Sequence, residues 1–112
     1  MKVGLDTSIF LNVKNKEKEF YEFSNQILNK IDNNELDAVI SIITIAELTV
    51  GYYKTNELRE KDDFVNGIYS NPQYRIINLD LEVADKSAEI KSQAQLKLPD
   101  AIITASVILQ EC

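Results

Sequence analysis

The sequence predicts one α/β domain, built on a short parallel sheet with helices against both faces. Three observations predict it. A chain of 112 residues that is 45% hydrophobic and 27% charged has the length and composition of a single globular domain, a size that buries roughly two-thirds of the surface of its unfolded chain. Its apolar residues gather into short runs, beginning with Lys2-Val3-Gly4-Leu5, that have strand length rather than helix length. Between those runs lie longer segments with helical periodicity, and strands alternating with helices imply a parallel sheet covered on both sides.

The first run ends in Asp6, so a buried strand closes there. Phe20, Phe23, Ile27, Leu28 and Ile31 then follow helical spacing, between the charged Lys16-Glu17-Lys18-Glu19 and the turn-like Asp32-Asn33-Asn34. Ala38-Val39-Ile40 is the second strand. Thr44-Ile45-Ala46-Glu47 reads as a capping box that opens a helix running to about Lys54. Leu58, Val65, Ile68 and Tyr69 mark an amphipathic helix, which Asn71-Pro72 ends. Arg75-Ile76-Ile77-Asn78 is the third strand, and Val83, Ser87, Ile90 and Ala94 mark another helix. Leu98-Pro99-Asp100 opens the last helix, with proline near its first position. Ala101 to Leu109 is apolar nearly all round, which predicts burial. No repeat or linker divides residues 1–112. No apolar run approaches the roughly 18 residues of a membrane span, and Asp6 interrupts any secretory leader. A cytoplasmic location is expected.

Composition narrows the chemistry. The sequence has no histidine, which excludes Ser-His-Asp and Cys-His catalysis, histidine-ligated zinc, and RNA cleavage by a histidine acid–base pair. Its one cysteine, Cys112, lacks a bridging partner and an activating base. Hydrolysis then falls to carboxylates, lysines, tyrosines or a metal held by oxygen ligands, and such ligands suit Mg²⁺ or Mn²⁺. A net charge of −6 is an acidic balance unlike that of a non-specific nucleic-acid binder.

Three acids stand in strongly apolar sequence: Asp6 after Val3-Gly4-Leu5, Glu47 after Ile42-Ile43-Thr44-Ile45, and Asp100 before Ala101-Ile102-Ile103. Each has an ordinary structural role open to it. Asp6 can cap a helix, Glu47 can complete Thr44's capping box, and Asp100 can sit at the positive end of a helix dipole. As a set they point elsewhere. Carboxylates in buried segments cost several kcal/mol unless paired or coordinated, and a divalent cation is what reconciles three of them. Ligands of parallel sheets gather at the carboxyl ends of strands. Asp6 lies at such an end and Glu47 follows the second strand, so both are expected on one rim; the spacing does not place Asp100. Lys14, Lys16 and Lys18 are candidate phosphate contacts, weighed against an ordinary solvated helix start. Tyr52 and Tyr53 are candidate base-stacking groups, weighed against helix packing.

These same segments carry a family resemblance. Val3-Gly4-Leu5-Asp6-Thr7-Ser8-Ile9-Phe10 resembles the opening of PIN domains, where an apolar strand ends in an acid followed by Thr/Ser and Ser/Asn. Ser41-Ile42-Ile43-Thr44-Ile45-Ala46-Glu47-Leu48, with Gly51, resembles the family's second acidic motif, and Leu98-Pro99-Asp100-Ala101-Ile102-Ile103-Thr104-Ala105 the third. The branch it looks most like is the VapC-type toxins of toxin–antitoxin pairs. The resemblance implies a three-layer α/β/α sandwich around a parallel sheet. It implies Mg²⁺- or Mn²⁺-dependent endonucleolytic cleavage of RNA, a homodimer and a small antitoxin partner. Carried over by position, Asp6, Glu47 and Asp100 are the catalytic, metal-binding acids. Asp6 and Asp100 would bind metal directly, and Glu47 would act as ligand or water-orienting base. Thr7 and Ser8 would be supporting hydroxyls that hold Asp6, or simple helix caps.

The sequence departs from the family at its end. PIN domains usually carry a fourth acid after a further strand, and residues 110–112 stop where that strand should begin. The expectation is one PIN-like domain over 1–112, C-terminally incomplete and without its last strand. A second function follows from this: a catalytically impaired PIN fold that serves as a partner-binding module, with Phe64, Ile68 and Tyr69 as candidate docking residues. Aspartyl phosphotransfer is a third. It is disfavoured because Ser8 stands where the strand–Asp–x–Asp pattern needs its second acid, and a response-regulator reading fails because no adjacent acid pair closes the first strand.

Overall fold

The computed structural model describes residues 2–15 and 20–110. Along the chain run β1 (Lys2–Leu5), α1 (Thr7–Lys14), α2 (Tyr21–Asp32), β2 (Asp37–Ser41), α3 (Ile42–Lys54), α4 (Leu58–Ser70), β3 (Tyr74–Ile77), α5 (Leu81–Gln93) and α6 (Leu98–Leu109). The strands form one parallel sheet in the order β1-β2-β3. Leu5 lies opposite Ile40, and Ile40 opposite Ile76.

Side chains alternate across a strand, and here both faces of the alternation are buried. Leu5, Ala38 and Ile40 belong to a core shared with Phe10, Ile31, Leu48 and Ile68 from α1, α2, α3 and α4. Val39 and Ile77 point the other way, into a second core with Val83 of α5 and Ile102 and Ala105 of α6. The result is a three-layer α/β/α sandwich, as the apolar runs and the resemblance imply. The central strand β2 is buried at Ala38, Val39, Ile40 and Ser41, which is why it reads as a continuous apolar run.

The element boundaries hold with small shifts. The third strand begins one residue early, at Tyr74, and Asn78 lies outside it. The helix predicted from Thr44 begins at Ile42 instead, capped by Ser41, whose Oγ accepts the Ile43 N–H at 3.1 Å. Thr44 therefore lies inside the first turn and is no cap. Its Oγ1 is the one buried side-chain polar atom without a hydrogen-bond partner among the described residues. The competing signal is a second hydroxyl three residues upstream, at the last position of the strand. Phe20 and Phe23 share the helical spacing of Ile27, Leu28 and Ile31, yet both are exposed, Phe23 at 62%. Only Ile31 of that series is fully buried.

Chain reversals after α2 and α3 use asparagine. Asn34 and Asn56 take positive φ of 64° and 57°, the left-handed conformation that asparagine tolerates better than most residues. The next amide in each case bonds back into the helix, Glu35 N–H to Lys30 O at 2.7 Å and Glu57 N–H to Tyr52 O at 2.9 Å.

One close approach fixes the α6 layer. A Cβ added to Gly4 would overlap both γ-methyls of Val107 and touch its Cβ. Glycine thus lets β1 and α6 pack almost backbone to side chain. At the far end of β1, Lys2 Nζ donates to the carbonyl of Gln110 at 2.9 Å, so α6 ends beside the start of β1. No helix among the described residues is long and apolar enough to cross a membrane. Lys16, Lys18, Glu111 and Cys112 lie outside the described residues, as does any role assigned to them from sequence.

Candidate active site

Two strand-to-helix junctions build the rim of the sheet. Because Leu5 and Ile40 are paired across β1 and β2, the residues that follow them, Asp6 and Ser41, occupy equivalent positions at the strand ends. Each caps the helix leaving that point. Asp6 Oδ1 accepts the Ile9 N–H at 3.3 Å and the Ser8 hydroxyl at 2.7 Å. The capping role foreseen for Asp6 is thus real, and it places the carboxylate at the carboxyl end of the sheet. Glu47 reaches the same region from within α3, where its Oε1 accepts the Thr7 hydroxyl at 2.6 Å. Thr7 therefore holds Glu47, while Ser8 holds Asp6.

Asp100 arrives from the opposite layer. Lys97 precedes α6 without a side-chain cap, Pro99 lies in the first turn, and Asp100 is the acid of that turn, where the helix dipole favours negative charge. Because α6 ends beside Lys2, its start lies at the other end of β1, next to Asp6. All three acids line one open cleft of about 620 Å³, together with Thr7, Ser8, Leu11, Ile103 and Thr104. Residues separated by 40 or more positions in sequence meet there.

The acids are exposed, which corrects the expectation that their apolar flanks bury them. The flanking residues turn into the cores, whereas each acid sits at an element end or on an outward helix face. Their repulsion is relieved by water rather than by burial of a pair. No Lys or Arg forms an ion pair with any of the three among the described residues. One oxygen each of Asp6 and Glu47 is tied down, and Asp100 has no hydrogen-bond partner there. The oxygen-only donor set suits a hard divalent cation. Among the described residues, however, no three acids stand close enough together to grip one ion as placed. Side-chain rotation, above all of the untethered Asp100, would be needed.

Sequence reasoning missed Leu11, Ile103 and Thr104. Helical spacing could have found two of them: Leu11 is four residues from Thr7 and Thr104 four from Asp100, so each shares a helix face with a cleft residue.

A second hollow, of about 240 Å³, lies between helices and is lined by Phe10, Val13, Lys14, Leu28, Leu48, Tyr52 and Phe64. Phe64 packs edge-on against Phe10 at 5.6 Å between ring centres and tilts against Tyr52 at 5.8 Å. Lys14, foreseen as a phosphate contact, lies 4.5 Å from the Tyr52 ring centre and 3.4 Å from Glu57 Oε1. It is an intramolecular latch between α1 and the end of α3. Burial, with help from Glu57 and Glu60, raises the Tyr52 pKa. The Thr55 hydroxyl, aided by Lys14, lowers that of Glu57. Tyr52 is a packing residue, as its ordinary reading held, while Tyr53 is exposed. The docking trio does not form one face: Ile68 is core, Phe64 is half-buried, and only Tyr69 projects outward, at 81% exposure.

A parallel α/β sandwich whose strand ends and a returning helix surround an acidic cleft defines the class: an α/β domain with an oxygen-donor site at the carboxyl rim of its sheet. The chain belongs to the PIN domain family, whose model matches residues 3–112. Among solved structures it is similar to a chain of a toxin–antitoxin complex from Klebsiella pneumoniae. That match has 27% identity and a TM-score of 0.67, and it covers 95% of this chain and 78% of that one. It is similar in fold to a chain of VapBC2 from Rickettsia felis, solved bound to a DNA fragment from their promoter. There the identity is 20% and the TM-score 0.72, with 100% of this chain and 84% of that one covered. No curated protein matches.

Proposed function

We propose that this protein is a divalent-metal-dependent endoribonuclease of the PIN type, the toxin of a toxin–antitoxin pair. The observation that carries the reading is the shared cleft: Asp6, Glu47 and Asp100 come from three separate elements and two layers, yet line one hollow with no basic side chain paired to them among the described residues. Family membership supports the nuclease class. The likeness to a toxin–antitoxin complex supports a small antitoxin partner. A homodimer and a cytoplasmic location belong to the same proposal.

In this reading Asp6, Glu47 and Asp100 hold Mg²⁺ or Mn²⁺. When bound, such a cation supplies Lewis acidity toward a phosphodiester and lowers the pKa of water near it. The chain's own residues do the rest. Ser8 and the Ile9 amide fix Asp6 at the strand end, and Thr7 fixes Glu47. Leu11 and Ile103 give the open cleft part of its apolar lining. Thr104, one turn beyond Asp100, offers a hydroxyl to a phosphate oxygen or water. The three carboxylates repel an RNA backbone unless a cation is present, so substrate binding itself becomes metal-dependent.

The test is Mn²⁺ calorimetry together with cleavage of a mixed RNA pool, for the wild type and for Asp6→Asn and Asp100→Asn. Metal-dependent cleavage lost in both variants is expected. Cleavage that survives chelation, or survives both substitutions, would overturn the reading.

One observation favours a second reading, a PIN fold that binds its partner without cleaving RNA. The three acids do not stand in one coordination sphere as placed. Mn²⁺ that fails to bind at millimolar concentration, alongside intact antitoxin binding, would select it.

A further inference from the structure

We infer that Thr7 is a positioning residue, which fixes Glu47 in advance with its other oxygen free for a cation in the cleft. This rests on the metal site proposed above. The contact is a side-chain bond between two helices 40 residues apart in sequence, Thr7 Oγ1 to Glu47 Oε1 at 2.6 Å. That length lies in the range of charge-assisted O–H···O⁻ bonds, roughly 2.5–2.7 Å.

Glu47 needs such a restraint. It is a long side chain on an exposed stretch of α3, where an unrestrained glutamate keeps most of its rotamer freedom. Thr7 does not: it is half-buried at the start of α1, with a branched side chain that has few rotamers. The rigid partner therefore disciplines the mobile one. The bond occupies Oε1 and leaves Oε2 without a hydrogen-bond partner among the described residues.

Asp6 repeats the arrangement from the other side. Ser8 and the Ile9 amide both bond to Oδ1, so only Oδ2 is left. Each tethered acid thus keeps one oxygen wholly free, and Asp6, whose Oδ1 already accepts two bonds, could chelate with both oxygens only by breaking a tether. Asp100 is untied, which makes it the acid that moves when the cleft closes on an ion. This division explains how three carboxylates can line one hollow without forming a ready-made cluster.

The experiment compares Mn²⁺ binding by calorimetry for wild type, Thr7→Val, Thr7→Ser, Glu47→Gln and the double variant Thr7→Val/Glu47→Gln, with thermal unfolding of each in chelator. Thr7→Val keeps the branched shape and removes the donor. It should weaken Mn²⁺ binding about five- to tenfold, the scale of a lost charge-assisted bond plus the freed rotamers. Thr7→Ser should stay within about twofold of wild type, and adding Thr7→Val to Glu47→Gln should cost little more than Glu47→Gln alone. Should Thr7→Val fail to fold, Thr7→Ala against Thr7→Ser gives the same comparison. If Glu47→Gln weakens Mn²⁺ binding while loss of the Thr7 hydroxyl does not, the positioning role is overturned and the metal site stands. If Glu47→Gln and Asp6→Asn both leave Mn²⁺ affinity unchanged, the metal site falls and the inference falls with it.

Discussion

Replacing Gly4 by alanine tests how the fold assembles its cleft. The added methyl would overlap both γ-methyls of Val107 and lie 3.0 Å from its Cβ. A valine cannot swing such a contact away, because its branch point is part of the contact. Forcing an extra methyl into a packed contact costs about 1–3 kcal/mol. Gly4 does not have positive φ, so alanine also gains about 0.4–1 kcal/mol by restricting the unfolded chain. The net loss should be about 1–2 kcal/mol, or about 4–8 °C in melting temperature for a domain of this size. Relief comes from the partner. Val107→Ala alone leaves a small void, whereas Gly4→Ala/Val107→Ala adds one methyl where two are removed. The double variant should therefore be more stable than the sum of the singles by about 1 kcal/mol or more. Because Asp100 starts the same helix, pushing α6 outward should also weaken Mn²⁺ binding in Gly4→Ala and restore part of it in the double variant. Denaturant melts and Mn²⁺ calorimetry on the four proteins suffice. Stabilities that add within about 0.3–0.5 kcal/mol would refute the close approach and with it this account of how Asp6 and Asp100 come to share a cleft.

Four further outcomes follow from particular residues. Asp6→Asn and Asp6→Ala should both abolish most Mn²⁺ binding, but only alanine should also lose about 1 kcal/mol, since asparagine caps a helix as well as aspartate does; equal stabilities would show that Asp6 is no cap. Thr44→Val should raise stability by about 1 kcal/mol, because it removes the orphaned hydroxyl, and a lower melting temperature would reveal an unseen partner for Oγ1. Burial, reinforced by Asp32, pushes the Tyr74 phenol up to about 12 from 10.0; its contribution is whole below pH 10 and is lost as the pH rises through about 12. Tyr74→Phe should therefore lose less stability than wild type between those values, by about 1–2 kcal/mol once solvent screening at a half-exposed ring is allowed for, and superimposable alkaline melts would dismiss the shift. Ile31→Ala, at a fully buried position, should cost about 2–5 kcal/mol, and a loss under 1 kcal/mol in urea melts would remove Ile31 from the core.

Residue pattern alone determined the alternation of strands and helices, because a strand buried on both faces must be apolar at every position, and a helix against it must be apolar on one. Val39 between Ala38 and Ile40 is legible in that way. The helix break at Pro72 and the opening of α6 at Pro99 are equally local, set by a ring that fixes one torsion and removes one donor. Asp6, Glu47 and Asp100, which line the cleft, stand out in the sequence through their apolar flanks and their likeness to family motifs. Their exposure is not legible there. Flanking sequence says which way the neighbours turn, and a side chain at an element end can still face water. Nor could local sequence decide between Thr44 and Ser41 as the cap of α3, since both precede plausible first turns and only the end of β2 chooses. Tertiary structure alone decided that Asp100 meets Asp6 and that Thr7 reaches Glu47 rather than Asp6. Both depend on how α6 and α3 lie against β1, and that packing is set by contacts such as Gly4 with Val107, between residues about a hundred positions apart. Spacing within a segment carries no information about such a contact.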